Sequence, residues 1–163
     1  MPELPVDVPR IGLGWDRHAL VTGRPCILGG LELPGEVGPA GHSDGDALLH
    51  ALVDALLGAA GLDDLGSLFP DTDPAWKDVP STRFLDEAMA RLRAAGLRPW
   101  SVDLVVVCDR PKLAPHRAAM REALAARLEL PVDRVNLKGK TTEGGAASAP
   151  AVEVHAVALV GPA

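Results

Sequence analysis

The stretch GWDRHAL, Gly14 to Leu20, places a carboxylate and an imidazole two residues apart just after an apolar run. In an extended strand, side chains at i and i+2 share a face, so a strand here stands Asp16 and His18 side by side. Such pairs also occur at solvated strand ends, and the pair alone does not make a site. A second imidazole, His50, lies in the apolar helical run ALLHALVDALLG, among Leu48, Leu49, Ala51 and Leu52. A half-buried histidine is commonly a satisfied core residue. Together with Asp16 and His18, however, His50 completes a set of two histidines and one carboxylate. That donor set suits a divalent ion such as Zn²⁺ and leaves a coordination position open. Helical spacing also aligns Asp46, His50 and Asp54 along one face.

Two further stretches carry chemically useful residues. GHSDGD, Gly41 to Asp46, opens the helix of His50. Free backbone N–H groups there, with His42 and Ser43 as donors, suit a phosphate oxygen, although the same residues read as ordinary capping. KGKTTEGG, Lys138 to Gly145, resembles a phosphate-binding P-loop, but that motif needs glycine where this chain has Arg134. Lys140, Thr141 and Thr142 remain as donors to phosphate. Glu143 remains as a ligand for a hard cation such as Mg²⁺ or Mn²⁺. A polar turn after a strand is the alternative. No GxSxG elbow supports a serine nucleophile.

These residues need elements to hold them. IGLGWDRH reads as a strand, and CILGGLELPG as a hairpin turning at Gly29-Gly30. SDGDALLHALVDALLGAAG reads as a helix capped by Ser43 or Asp44 and ended by Gly61. LDDLGSLFPDTDPAWKDVP reads as a long loop. STRFLDEAMARLRAAG is a helix started by Ser81 and stopped by Gly96, and SVDLVVVCD is a strand. PHRAAMREALAARLEL is a helix with Pro115 near its first turn. VNLKGK and VEVHAVALV are closing strands. The expectation is a loose tail over residues 1–9 and one domain over 10–163, an α/β (α+β) mixed sheet with helices on one face. Val105 and Val107 make the other face apolar as well, opposite Leu104 and Val106. A second subunit is expected to cover it.

The chain has 163 residues, a net charge of −6 and no basic run, which disfavours nucleic acid as a partner. Cys26 and Cys108 sit in separate apolar runs and read as buried, reduced thiols. No signal sequence or membrane span is read, since His50 and Asp54 interrupt the most apolar helix. A cytoplasmic location is expected.

GWDRHAL, AGHSDGDALLHALVDALLGAAGLDDLGSLFPDTDP, DRPKLAPH and VNLKGKTTE, in that order, resemble the 2-C-methyl-D-erythritol 2,4-cyclodiphosphate synthases. The likeness runs from about Arg10 to Glu143 and again through HAVALV. It implies a phosphorus–oxygen lyase of the non-mevalonate isoprenoid route. The reaction converts 4-diphosphocytidyl-2-C-methyl-D-erythritol 2-phosphate to the cyclic diphosphate and CMP. The resemblance implies Zn²⁺ on Asp16, His18 and His50, and a second divalent cation, Mg²⁺ or Mn²⁺, on Glu143. His42 and Thr141 are implied to stabilise the transition state. Arg17, Ser43, Lys140 and Thr142 join the substrate contacts. Asp64, Leu65 and Gly66 are implied at the cytidine ribose. Phe69, Pro70, Asp71, Thr72 and Asp73 form a loop over the erythritol phosphate. Cys108, Asp109, Arg110, Pro111, Lys112, Leu113 and Ala114 form a cytosine pocket read largely by backbone groups. A homotrimer with sites shared between neighbours is implied too.

The chain departs from this family after Glu143, where GGAASAPAVEV offers neither a phenylalanine nor an arginine, and at Lys140, where threonine is usual. The departure implies weak binding of isoprenoid diphosphates at the threefold axis, with His155 the nearest substitute cation. Two other readings stand beside the synthase: a metal-dependent phosphohydrolase using water at the same site, and a non-catalytic trimeric binding module.

Overall fold

Strand β1 (Arg10–Thr22) separates its residues by face. Gly12 and Gly14 are buried on one side, while Ile11, Leu13 and Trp15 are exposed on the other. Asp16 and His18 continue the glycine side, as the period of two requires. Helix α1 (Ala47–Ala60) lies directly on those glycines. A Cβ at Gly14 would fall 1.8 Å from the Ala51 carbonyl oxygen, and one at Gly12 1.8 Å from that of Ala55. Helix backbone therefore rests on strand backbone. This close approach sets the height of His50 above Asp16.

The computed structural model describes residues 8–41, 43–70, 72–76, 79–144 and 150–163. The main sheet has the order β4-β1-β7-β5-β6. Its other members are β4 (Val37–Pro39), β5 (Leu97–Val107), β6 (Val135–Lys140) and β7 (Ala151–Pro162). Only β5 and β6 run parallel, so the sheet is mixed, as expected. Helices α1, α3 (Thr82–Ala94) and α4 (Arg117–Leu128) cover one face and enclose the core with Leu104, Val106, Val154 and Ala156. The opposite face leaves Ile11, Leu13, Trp15 and Val157 between 41% and 73% exposed.

The hairpin β2 (Cys26–Leu28) and β3 (Leu31–Leu33) turns at Gly29 and Gly30, whose φ values are 67° and 75°. Two consecutive positive φ angles suit this pair of glycines. The hairpin closes over the start of α1 through Asp46. Ser43 and Asp44 do not cap that helix; Asp46 does. Its Oδ1 accepts from the backbone N–H of Leu49 at 3.0 Å and of Gly29 at 2.9 Å, and its Oδ2 accepts from Gly30 at 2.7 Å. Burial pushes the Asp46 pKa up, and these three bonds pull against it. Gly61 ends the helix in the left-handed region, as expected.

Several boundaries differ from the sequence reading. The long loop contains a four-residue helix, α2 (Leu65–Leu68), capped by Asp64, and a single 3₁₀ turn at Pro74–Trp76. Phe69 and Trp76 supply the reason: they pack with Phe84 into one aromatic cluster, with ring centroids 4.9 to 5.9 Å apart. Ser81 precedes α3, yet its side chain makes no cap bond to that helix. Pro115 lies near the first turn of α4, as expected, one residue before the N-cap His116. Strand β5 begins at Leu97, ahead of the apolar alternation, and crosses a register irregularity between Pro99 and Ser101. β4 is too short to have shown a pattern. Cys26 and Cys108 are free and buried, and burial pushes both thiols up to about 11. Among the described residues, no helix is long and apolar enough to cross a membrane.

Candidate active site

The alternation of β1 and the seating of α1 bring three side chains to one point. Asp16 Oδ2 lies 2.9 Å from His18 Nε2 and 3.0 Å from His50 Nδ1. The two ring nitrogens are 3.3 Å apart. All three residues are partly buried, and one ligand atom from each falls within 4.8 Å of the others. The Nδ1 of His18 faces the carbonyl oxygen of Ala40, which can only accept. So His18 donates from Nδ1, and Nε2 faces Asp16, carrying hydrogen when the ring is protonated and a lone pair when it is neutral. Burial works against ionisation of Asp16. Its bonds to His18 and His50, and their charge, prevail and hold the carboxyl well below the usual carboxylate range. The bond to Asp16 raises the pKa of His18 against the cost of its burial. A carboxylate and two imidazole nitrogens at this spacing require positive charge between them, from protons or a metal ion. The donor set and its convergence fit a divalent metal.

A second group gathers at the far side of the sheet. Thr141 Oγ1 donates to Glu143 Oε1 at 2.7 Å. The backbone N–H and Oγ1 of Thr142 donate to the two carboxylate oxygens of Asp109, at 3.0 and 2.7 Å. A cavity of about 200 Å³ opens between Cys108, Pro111, Lys112 and Leu113 on one side and Lys140 and Thr141 on the other. Across the sheet from α1, a larger cleft of about 500 Å³ is bounded by Arg17, Asp109, Arg110, Thr142 and Glu153. Register shows how far the two groups are separated. Asp16 pairs with Val154, Val154 with Val106, and Val106 with Gly139. That is three strand spacings, about 14 Å across the sheet.

Residues 9–161 match the model of the YgbB family. A 2-C-methyl-D-erythritol 2,4-cyclodiphosphate synthase of Chromobacterium violaceum is 55% identical over 153 residues, covering 93% of this chain and 97% of the relative. One from Thermus thermophilus is 53% identical over 151 residues, covering 93% and 98%. A solved 2C-methyl-D-erythritol-2,4-cyclodiphosphate synthase in its CDP-bound form is 50% identical, with a TM-score of 0.88, and covers 93% of this chain and 99% of that one. The chain belongs to the YgbB family. A CDP complex of the Plasmodium falciparum member superposes with a TM-score of 0.81 at 31% identity, covering 94% of this chain and 96% of that one.

Against the residues singled out from the sequence, the structure brings Asp16, His18 and His50 together. It groups Thr141, Glu143, Lys140 and the 108–114 segment elsewhere, with Ala114 also on the smaller cavity. Asp64, Leu65 and Gly66 form the start of α2. Asp64 accepts from Ser67, and the Leu65 N–H is held by Asp54 at 2.8 Å. Thus Asp46, His50 and Asp54 share a helix but serve three separate partners. Phe69 is only 3% exposed, so its ring is a core element of the aromatic cluster and not a surface group. Pro70, Thr72 and Asp73 continue from it, and Asp73 accepts from Ala75. Ser43 Oγ accepts from the Gly45 N–H at 3.2 Å. His42, Asp71 and residues 145–149 lie outside the described residues. His155, expected to face a threefold axis, bonds Glu153 at 2.9 Å on the exposed sheet face.

Two YgbB-site neighbours escaped the sequence reading. Arg24 donates to the carbonyls of Gly41 and Ser43, at 3.1 and 2.9 Å. Ser81, taken for a helix start, touches His50 Nε2 at 2.9 Å. Neither has a local sequence signal, because each acts on residues tens of positions away.

Proposed function

We infer that the chain is a 2-C-methyl-D-erythritol 2,4-cyclodiphosphate synthase (EC 4.6.1.12). It converts 4-diphosphocytidyl-2-C-methyl-D-erythritol 2-phosphate to the cyclic diphosphate and CMP in the non-mevalonate isoprenoid pathway. The observation that carries this reading is the convergence of Asp16, His18 and His50 in a chain about half identical to such synthases over nearly its whole length.

The substrate carries its own nucleophile. Its 2-phosphate attacks the β-phosphorus and CMP leaves, and a phosphate oxygen is already anionic at neutral pH. The protein's task is to fold the substrate and let two anions approach. Asp16, His18 and His50 would hold Zn²⁺ and Glu143 a Mg²⁺ or Mn²⁺, which together supply charge neutralisation and polarisation at the diphosphate oxygens. Thr141 would give its hydroxyl hydrogen, held here by Glu143, to a phosphate oxygen. His42 and Ser43 would serve as the second set of donors, with Lys140, Thr142 and Arg17 adding polar or cationic contacts. The cavity walled by Cys108 to Ala114 would take the cytosine, read by backbone groups, and Asp64 to Gly66 the ribose. Phe69, Pro70, Asp71, Thr72 and Asp73 would shape the site over the erythritol phosphate, with Phe69 as the buried anchor.

The same geometry supports an assembly with shared sites. A separation of about 14 Å puts the metal triad and the Thr141 group too far apart to grip one diphosphate from a single chain. We place the triad of one subunit against the Thr141 group of its neighbour in a homotrimer, with the Ile11–Leu13–Trp15 face turned inward. A cytoplasmic location fits two buried free thiols.

Incubation with the diphosphocytidyl substrate, followed by mass and phosphorus NMR analysis, tests the reading. CMP with an intact cyclic diphosphate is expected. Release of inorganic phosphate or an acyclic diphosphate would favour the hydrolase instead.

A further inference from the structure

His50 is tethered on both sides. Its Nδ1 faces Asp16 and His18, and its Nε2 lies 2.9 Å from Ser81 Oγ. Ser81 is fully buried and sits at the start of α3, yet it does not cap that helix. It is bound to Asp44 instead. The Ser81 backbone N–H donates to Asp44 Oδ2 at 3.0 Å, and the Ser81 hydroxyl donates to Asp44 Oδ1. Asp44 Oδ1 also accepts from the Asp46 N–H at 3.2 Å.

The directions of these bonds are forced. Both Asp44 oxygens already accept from backbone N–H groups, and the one hydroxyl hydrogen of Ser81 goes to Asp44. That leaves only lone pairs on Ser81 Oγ to face His50. The His50 Nε2 must then be the N–H, and a neutral His50 presents the Nδ1 lone pair toward Asp16 and His18. Neutral imidazole has two tautomers, and the other one would place a hydrogen where a metal must bind.

We propose that Asp44 and Ser81 are positioning residues that fix the tautomer and ring orientation of His50 for metal binding. The relay joins three elements: the loop before α1, α1 itself and the start of α3. It mirrors the Ala40 carbonyl that performs the same task for His18. The proposal rests on the metal reading of Asp16, His18 and His50, and the test separates the two.

Zinc affinity is measured by chelator competition on the full-length protein. Ser81→Ala is nearly isosteric and is expected to weaken zinc binding roughly ten- to a hundredfold, the range for loss of an outer hydrogen bond to a ligand. Asp44→Asn can accept fully from only one of Ser81's two donors and is expected to weaken binding in the same direction. It carries the test alone if Ser81→Ala fails to fold. In the double variant the losses should not multiply, since Asp44 acts on His50 through Ser81. Nitrogen-edited NMR of the zinc-loaded protein should show a slowly exchanging His50 Nε2–H signal that disappears in Ser81→Ala. Wild-type zinc affinity in Ser81→Ala, or fully multiplicative losses, overturns the relay while leaving the metal site standing. Unchanged zinc affinity in His50→Ala overturns the metal reading, and the relay with it.

Discussion

Two inactive variants mixed together should recover activity if each site draws its two halves from different chains. His50→Ala removes one proposed metal ligand from the triad, and Thr141→Ala removes a donor from the group lying about 14 Å across the sheet. Each variant alone should lose about 10²- to 10³-fold in turnover, the usual cost of one preorganised group at a developing charge. In the proposed closed ring every contact is head to tail, so each site would take its triad from one subunit and its Thr141 group from the next. With equal amounts and random assembly, the two halves are intact together in about one site in four. The mixture, unfolded and refolded together, should therefore reach roughly a quarter of wild-type CMP release. Native mass spectrometry confirms that mixed trimers have formed. Activity no higher than the sum of the single variants, in verified mixed trimers, would refute the split-site geometry, as would a fully active monomer in sedimentation.

Other consequences can be checked separately. Gly14→Ala must lift α1 until the Ala51 carbonyl moves from 1.8 Å to at least 3.0 Å from the new Cβ. This should cost about 1–3 kcal/mol by calorimetry and weaken zinc binding. Gly12→Ala, which strikes Ala55 one turn farther from His50, should destabilise similarly with a smaller effect on zinc. Asp46→Asn leaves one of three backbone N–H donors facing an amide, so urea denaturation should show a loss of about 1–3 kcal/mol. The raised pKa of His18 means its proton is retained above the ordinary histidine value, and zinc binding as proposed must displace it. Zinc affinity should thus fall as pH drops from about 8 to about 6, with proton release visible as a buffer-dependent calorimetric heat. A pH-independent affinity would contradict this. In the metal-free protein the sign is opposite for stability. The Asp16–His18 bond stabilises fully below the ordinary histidine value and loses its effect as pH rises through the raised one.

What the sequence disclosed follows from local periodicity. Strand alternation alone puts Asp16 and His18 on one face, two glycines mark the hairpin, and apolar helical spacing reveals α1. Residues whose partners are distant in sequence stayed hidden. Asp46 caps its helix but also holds a hairpin 16 and 17 residues away, while Ser81 reaches Asp44 across 37 positions. Nothing in DGD or VPST distinguishes these from ordinary caps. The central position of β7, formed by nearly the last residues of the chain, is a long-range pairing that no local pattern encodes. The aromatic cluster was concealed by composition: Pro, Gly and Asp around Phe69 and Trp76 read as loop, although both rings pack inward.

Strand β1 interleaves two surfaces residue by residue: Gly12, Gly14, Asp16 and His18 toward α1, and Ile11, Leu13, Trp15 and Arg17 away from it. Substitutions can therefore tune one surface without touching the other, so the two faces are free to drift apart under selection. A length change behaves differently. One residue inserted or deleted between Gly14 and His18 puts the two ends of the segment out of phase, so that the glycines and Asp16 with His18 can no longer all face α1. The segment should tolerate many point changes but no single-residue indel, and deep mutational scanning of residues 14–18 would expose that contrast directly.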